Sequence, residues 1–256
     1  MKLKTATLKL ATPLITGVVL CALSTPSAFA AIALDRTRII YDGGQKSLSV
    51  NISNENKQLP YLAQGWIEDA QGNKITNPLT VLPPVQRIEP GAKSQVKVQG
   101  LPAANILAQD RESLFYFNLR EIPPRSDKPN TLQIALQTRI KLFYRPKALM
   151  QTTTEMATPW QEQITLTKQG DSYLVHNPTP YFVTVVDASS SIKGESINSF
   201  EPLMVEPKGS GTLKASASAL GNRPVLTYIN DYGGRPKLQF NCSAAGCQAK
   251  PVKDSD

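Results

Sequence analysis

The sequence predicts an all-β protein made of two β-sandwich domains, and three features lead there. Short alternating apolar runs recur along the chain, turn residues punctuate them, and no amphipathic helix pattern of useful length appears between them. Many short strands at such spacing pack as antiparallel sheets and not as a parallel α/β sheet. The first half carries KSLSVNIS, YLAQGWIE, SQVKVQG, ESLFYFNL and LQIALQTRIKLFY; the second carries QITLTK, YLVHN, YFVTVVD, GTLKAS, PVLTYIN and KLQFNC. Asp42-Gly43-Gly44, Asn77-Pro78, Pro83-Pro84, Gly194 and Gly233-Gly234 separate them with residues that favour turns.

Residues 1–30 read as a secretory signal peptide. Lys2, Lys4 and Lys9 open it, Leu10 to Leu23 is largely apolar, and Ala28-Phe29-Ala30 offers a small-x-small cleavage site. Cys21 follows the bulky Leu20, which argues against lipoprotein processing. Without the leader, the formal charge of +8 falls by three lysines to about +5. No dense Lys/Arg block and no aromatic–basic interleaving remains, so nucleic acid is excluded as a partner. The three cysteines fall to Cys242 and Cys247, an even pair in an exported chain. In an oxidising compartment they are expected to form a disulfide across a small hairpin, too close in sequence to staple two sheets.

The chain length suits two ordinary β domains, expected at residues 31–148 and 149–256. The break falls after Arg145-Pro146, in the polar, Thr-rich KALMQTTTEMATP. An internal echo supports two related domains. VNISNENKQLPYLAQGW resembles YLVHNPTPYFVTVVD, and IEPGAKSQVKV resembles VEPKGSGTLKA, in the same order.

Catalytic constellations are sparse. The single histidine, His176, precedes Asn177-Pro178 in what reads as a turn, without a second His or a Cys at ligand spacing. No nucleophile elbow, P-loop or dinucleotide fingerprint appears, so neither an enzyme nor a metal or cofactor is expected. YGGRP at Tyr232 reads as a tight turn. Trp66 and Trp160 read as strand-core residues, which disfavours a secreted adhesion or carbohydrate-binding module, the alternative that also suits tandem sandwiches. LDRTRII places Arg36 and Arg38 two apart on one face of a short strand. Arg139, Lys141 and Arg145 interrupt an apolar strand, and edge protection accounts for Arg36 and Arg139. Asp110, Glu112 and Asp231 offer acidic partners.

LDRTR, NKQLPYLAQGWIE, PPVQRIEPGAKS, QDRESLFYFNLREIPPRS, LQIALQTRIKLFYRP and YINDYGGRP together resemble the PapD-like periplasmic chaperones of chaperone–usher pili. The likeness is specific in the first half and around Asp231, and looser between Asp187 and Arg223. It implies two immunoglobulin-like domains set as an L with a cleft between them, acting in the periplasm. It also implies that the last strand of the first domain is lent to a pilus subunit, pilin or adhesin, which is then delivered to an outer-membrane usher. The lent strand matches Leu132 to Lys141, with Leu132, Ile134 and Leu136 filling the subunit's groove. Arg38 and Lys141 match the cations that hold the subunit's C-terminal carboxylate. Glu112, Arg145 and Asp231 match an ion-pair network between the domains, and Cys242 and Cys247 match the second domain's disulfide. The short loop PPRSDKPN resembles the short-loop group that serves rod-like pili, and a self-capping homodimer is compatible with the family.

Strict alternation puts Lys141 on the face opposite Leu132, Ile134 and Leu136. A bulge or strong twist near Thr138 to Ile140 would bring them together. Alternatively, the cation leaves the sheet edge at the cleft.

Overall fold

A computed structural model of the 256-residue chain describes residues 30–252; the expected signal peptide, Ala30 apart, lies outside them. Among these residues the N-terminal half runs β1 (Ile32–Leu34), β2 (Arg38–Asp42), β3 (Ser47–Asn54), β4 (Tyr61–Glu68) and β5 (Lys74–Ile75). It continues through β6 (Leu79–Leu82), β7 (Val85–Ile88), β8 (Lys93–Gly100), β9 (Ser113–Ile122) and β10 (Gln137–Arg145). The C-terminal half holds β11 (Thr165–Gln169), β12 (Ser172–Asn177), β13 (Val183–Ser189) and β14 (Leu203–Val205). β15 (Gly209–Thr212), β16 (Val225–Tyr228), β17 (Lys237–Ser243) and β18 (Gly246–Pro251) complete it.

Alternation decides which face each strand buries. Ala63 and Ile67 of β4, Val50 and Ile52 of β3, and Val96 and Val98 of β8 point inward, with polar or half-exposed residues between them. One sheet is ordered β1-β3-β8-β6; the other is β2-β10-β9-β4-β5, with β7 also on β4. The chain changes sheets between β1, which pairs with β3, and β2, which runs parallel to β10. That crossover breaks the early strand read from LDRTRII. Arg36 lies in the break, bound to Asp35 at 2.7 Å, and only Arg38 enters β2.

The C-terminal strands follow one hydrogen-bonded path, β14-β13-β16-β17-β18-β11-β12-β15. The path curls until its ends meet: a Cβ on Gly211 of β15 would sit 3.1 Å from the Leu203 side chain of β14. Each half encloses its own core, one around Tyr41, Phe117 and Leu142, the other around Tyr173, Phe240 and Leu166. Cys242 and Cys247 are directly opposite in the β17–β18 hairpin and form the expected disulfide. Between the cores the chain passes through short helical turns at Lys147–Leu149, Thr153–Met156 and Trp160–Gln163.

The internal echo is a repeated hydrogen-bonded corner. Asn54 and Asn177, both buried, end matching strands, and each Oδ1 accepts from the backbone N–H two residues on. Each Nδ2 donates into the next turn and to a distant carbonyl, Glu89 for Asn54 and Glu206 for Asn177. The N–H groups of Gly91 and Lys208 then donate to the carbonyls of Asn56 and Thr179, each at 2.9 Å. Both residues have positive φ, 67° and 55°. A buried Asn satisfies backbone groups that the bend would otherwise orphan.

Three readings need correction. Trp160 is buried against Tyr181, but in a helical turn and not in a strand. Trp66 lies on the outer face of β4, opposite Ile67, between the cations of Lys74 and Arg120. His176 belongs to β12, exposed and 3.0 Å from Ser210 Oγ, with no carboxylate bonded to it among the described residues.

Candidate functional site

β10 serves the N-terminal core and a cleft at once. Its register against β9 runs without a shift from Gln137↔Arg120 to Tyr144↔Ser113. Neither a bulge at Thr138 to Ile140 nor an exit from the sheet is present; Lys141 is paired with Tyr116 on one side and Arg38 on the other. Ile140, Leu142 and Tyr144 point into the N-terminal core. Arg139, Lys141, Phe143 and Arg145 occupy the opposite face. Leu132, Ile134 and Leu136 share the parity of the core row, so a strand extended through them would carry that row onward, on the face opposite Lys141. Lys141 was always on the other side.

The second domain covers that other side. Phe143 packs on Phe182 with ring centroids 5.5 Å apart. Lys141 Nζ donates to Thr184 Oγ1 at 3.2 Å. Arg38, only 9% exposed, donates from Nη1 to the Ile229 carbonyl at 3.2 Å, while its buried Nε has no acceptor. Among the described residues, neither cation is ion-paired with a carboxylate. Burial lowers the Arg38 pKa, with Asp231 and Glu112 opposing it. Burial also pushes Lys141 down to about 8, and the Arg38 charge adds to the effect. Two adjacent, desolvated cations, neither bonded to a carboxylate among the described residues, make a site that an anion would relieve.

Arg139, by contrast, is satisfied locally. It bonds Glu68 at 2.8 Å and stacks 3.4 Å above the Tyr116 ring, on the part of β10 that β2 does not cover.

Arg145 is 3% exposed and paired twice. It reaches Glu112 at 2.8 Å and Asp231 at 2.7 and 3.1 Å, joining the N-terminal domain to the β16–β17 turn. Burial opposes the Arg145 charge, yet Asp231 and Glu112 hold its pKa above the usual value. Burial raises the Glu112 carboxyl, against Arg145 and the Phe182 N–H, which donates to Glu112 Oε2 at 2.7 Å. Gly233 lets the Asp231 turn approach the first domain. Its φ is 83°, and a Cβ there would lie 2.6 Å from Thr37 Oγ1.

Lys208 Nζ bonds Asp110 at 2.7 Å, a further contact between the halves, but both side chains are largely exposed. Such pairs are screened by salt. Lys208→Ala is expected to leave the chemical-denaturation midpoint unchanged at physiological ionic strength, a result a urea titration reads directly.

The six residues before β10 hold little structure of their own. Leu132, Ile134 and Leu136 are 85%, 64% and 40% exposed. β10 begins at Gln137, so the first five residues of the expected strand, Leu132 to Leu136, lie outside it. The reason is the lack of a neighbour: β2 accompanies only Lys141–Arg145, and β9 ends at Ile122. One bond extends the ladder, from Glu121 N–H to the Leu136 carbonyl at 3.0 Å.

Residues 31–150 match the family model described as "Pili and flagellar-assembly chaperone, PapD N-terminal domain", and residues 159–240 match "Pili assembly chaperone PapD, C-terminal domain". The chain belongs to the PapD family of pilus-assembly chaperones. It is 55% identical to a probable fimbrial chaperone YfcS of Escherichia coli K12 over 87% of both chains. It is 54% identical to the chaperone protein PapD of Escherichia coli, over 88% of this chain and 92% of that one. The crystal structure of the periplasmic chaperone SfaE superposes with a TM-score of 0.65 at 31% identity, over 81% of this chain and 98% of that one. As a PapD-family member it is a periplasmic chaperone and not an enzyme, and its partners are pilus subunits and an outer-membrane usher. The alternative of an adhesion or carbohydrate-binding module falls with that assignment.

The structure thus brings Arg38 next to Lys141, and Glu112 to Arg145 and Asp231. It leaves Leu132, Ile134 and Leu136 exposed in the segment just before β10. Sequence reasoning missed Thr184, the Ile229 carbonyl and the Phe182 N–H. The first is an ordinary strand residue and the other two are backbone groups, so no composition or spacing signal marks them.

Proposed function

We propose that Arg38 and Lys141 grip the C-terminal carboxylate of a pilus subunit while Leu132, Ile134 and Leu136 complete its sheet. With domains at 31–148 and 149–256, the Glu112–Arg145–Asp231 network holds the second domain over the cleft. The adjacent cations of buried Arg38 and half-buried Lys141, neither ion-paired among the described residues and one with an idle Nε–H, carry this reading. A carboxylate there accepts charge-assisted bonds and removes a desolvation penalty.

The exposed apolar row supports the other half. A subunit lacking a strand exposes an open edge and an empty groove, both aggregation hazards. Burying three such side chains gains about 5–9 kcal/mol gross, much of it offset by association and ordering. The anchor sets register, because a one-residue slip would turn the row away from the groove.

The test is co-expression in the periplasm with subunits of its own pilus system. Arg38→Ala is expected to yield folded chaperone and degraded subunit. Ile134→Asp should do the same, since a residue so exposed in the free protein contributes little to its folding. Normal subunit protection by both variants sinks the reading.

A further inference from the structure

We propose that Thr184 is a third ligand of the bound carboxylate and the residue that positions Lys141 for it. The inference rests on the Arg38–Lys141 anchor and extends the site into the second domain.

A threonine hydroxyl has one proton and two acceptor lone pairs, whereas an ammonium only donates. In the 3.2 Å contact the Thr184 oxygen must therefore be the acceptor and Lys141 the donor. That leaves the Thr184 proton unspent. Among the described residues no acceptor takes it, although the residue is 95% buried, being 5% exposed. A buried hydroxyl with an idle proton beside a cationic pair is a donor awaiting an anion.

The backbone around it fits this role. The Thr184 carbonyl accepts from the Ile229 N–H at 2.9 Å, and the Ile229 carbonyl accepts from Arg38 Nη1 at 3.2 Å. One small unit of the second domain thus supplies an acceptor to each cation of the first. Lys141 gives one N–H to Thr184 and keeps two; Arg38 keeps its Nε–H. A carboxylate, with about four lone-pair sites, takes Arg38 Nε–H, one Lys141 N–H and the Thr184 O–H together. The first domain contributes the charge and the second domain the aim.

The experiment compares full-length wild type, Thr184→Val and Thr184→Ser. The probe is a synthetic peptide of a subunit's C-terminal segment, made once with a free carboxylate and once as the C-terminal amide. Valine is nearly isosteric and suits a strand, and thermal melts check that it folds. Thr184→Val is expected to bind the carboxylate peptide about tenfold more weakly, the size of one hydrogen bond to a charged group, and the amide peptide unchanged. Serine restores binding to within about twofold. The pH midpoint for carboxylate binding, set by Lys141, moves down in Thr184→Val and stays in Thr184→Ser, because an ammonium without its acceptor loses its proton more easily. An unmoved midpoint with unchanged affinity, or equal loss for both peptides, overturns the role of Thr184. A wild type that fails to distinguish carboxylate from amide overturns the anchor itself.

Discussion

Replacing Lys141 with methionine is expected to abolish subunit capture and, in the same protein, to make the free chaperone more stable at neutral pH. Lys141 keeps its charge in a half-buried site beside Arg38, and its pKa is depressed from 10.5 to about 8. The sign follows from proton counting. Between those two values the unfolded chain binds more protons than the folded one, so stability rises with pH across that window. Below about pH 8 the full penalty is present. Methionine fills a similar volume without charge and removes it. After allowance for partial exposure the gain is about 1–2 kcal/mol. Urea denaturation at pH 7 and pH 10 should therefore show the largest difference between variant and wild type at pH 7. Capture has the opposite dependence, since a carboxylate needs the ammonium. Wild-type capture should weaken as pH rises through about 8. A methionine variant less stable than wild type at pH 7 contradicts this view of the site.

Arg145→Ala is expected to be the most destabilising single change in the cleft, by about 3–5 kcal/mol, because it strands a buried carboxylate. Glu112 would lose its cation while the Phe182 N–H remains its one strong donor. Asp231 would lose both of its bonds to the first domain. Chemical denaturation measures the cost, and small-angle scattering measures whether the domains loosen. Adding Glu112→Gln to Arg145→Ala should recover part of the stability, because a neutral amide costs less to bury than an unpaired charge. Additive losses in the double variant would mean the two residues do not act as a pair.

Most strands were legible because half-buried antiparallel strands alternate. YLAQGWIE and KLQFNC map onto β4 and the start of β17 residue for residue. The run LQIALQTRIKLFY misled at its start, since propensity cannot tell a strand with a neighbour from one that lacks it. GTLKAS misled at its end, with β15 stopping at Thr212. Trp66 misled because an aromatic on the outer face, flanked by cations, has the same sequence signature as one in the core. Within the site, the charged residues were legible as misfits in apolar surroundings. Thr184 and Ile229 were not, because they lie 43 and 191 positions from the cations they orient.

The regular register of β10 makes the strand a ruler. Lys141 marks zero, and Leu136 and Leu132 stand five and nine positions back along the chain. Extended as a paired strand at about 3.3 Å per residue, the apolar row would span roughly 17 to 30 Å from Lys141. If Lys141 holds the client's C-terminus as proposed, a client must keep its empty groove at that distance from its own last residue. Inserting two residues between Leu136 and Lys141 would keep the row on its face but move it about 7 Å further from Lys141, and a client cut to the original length would then be rejected.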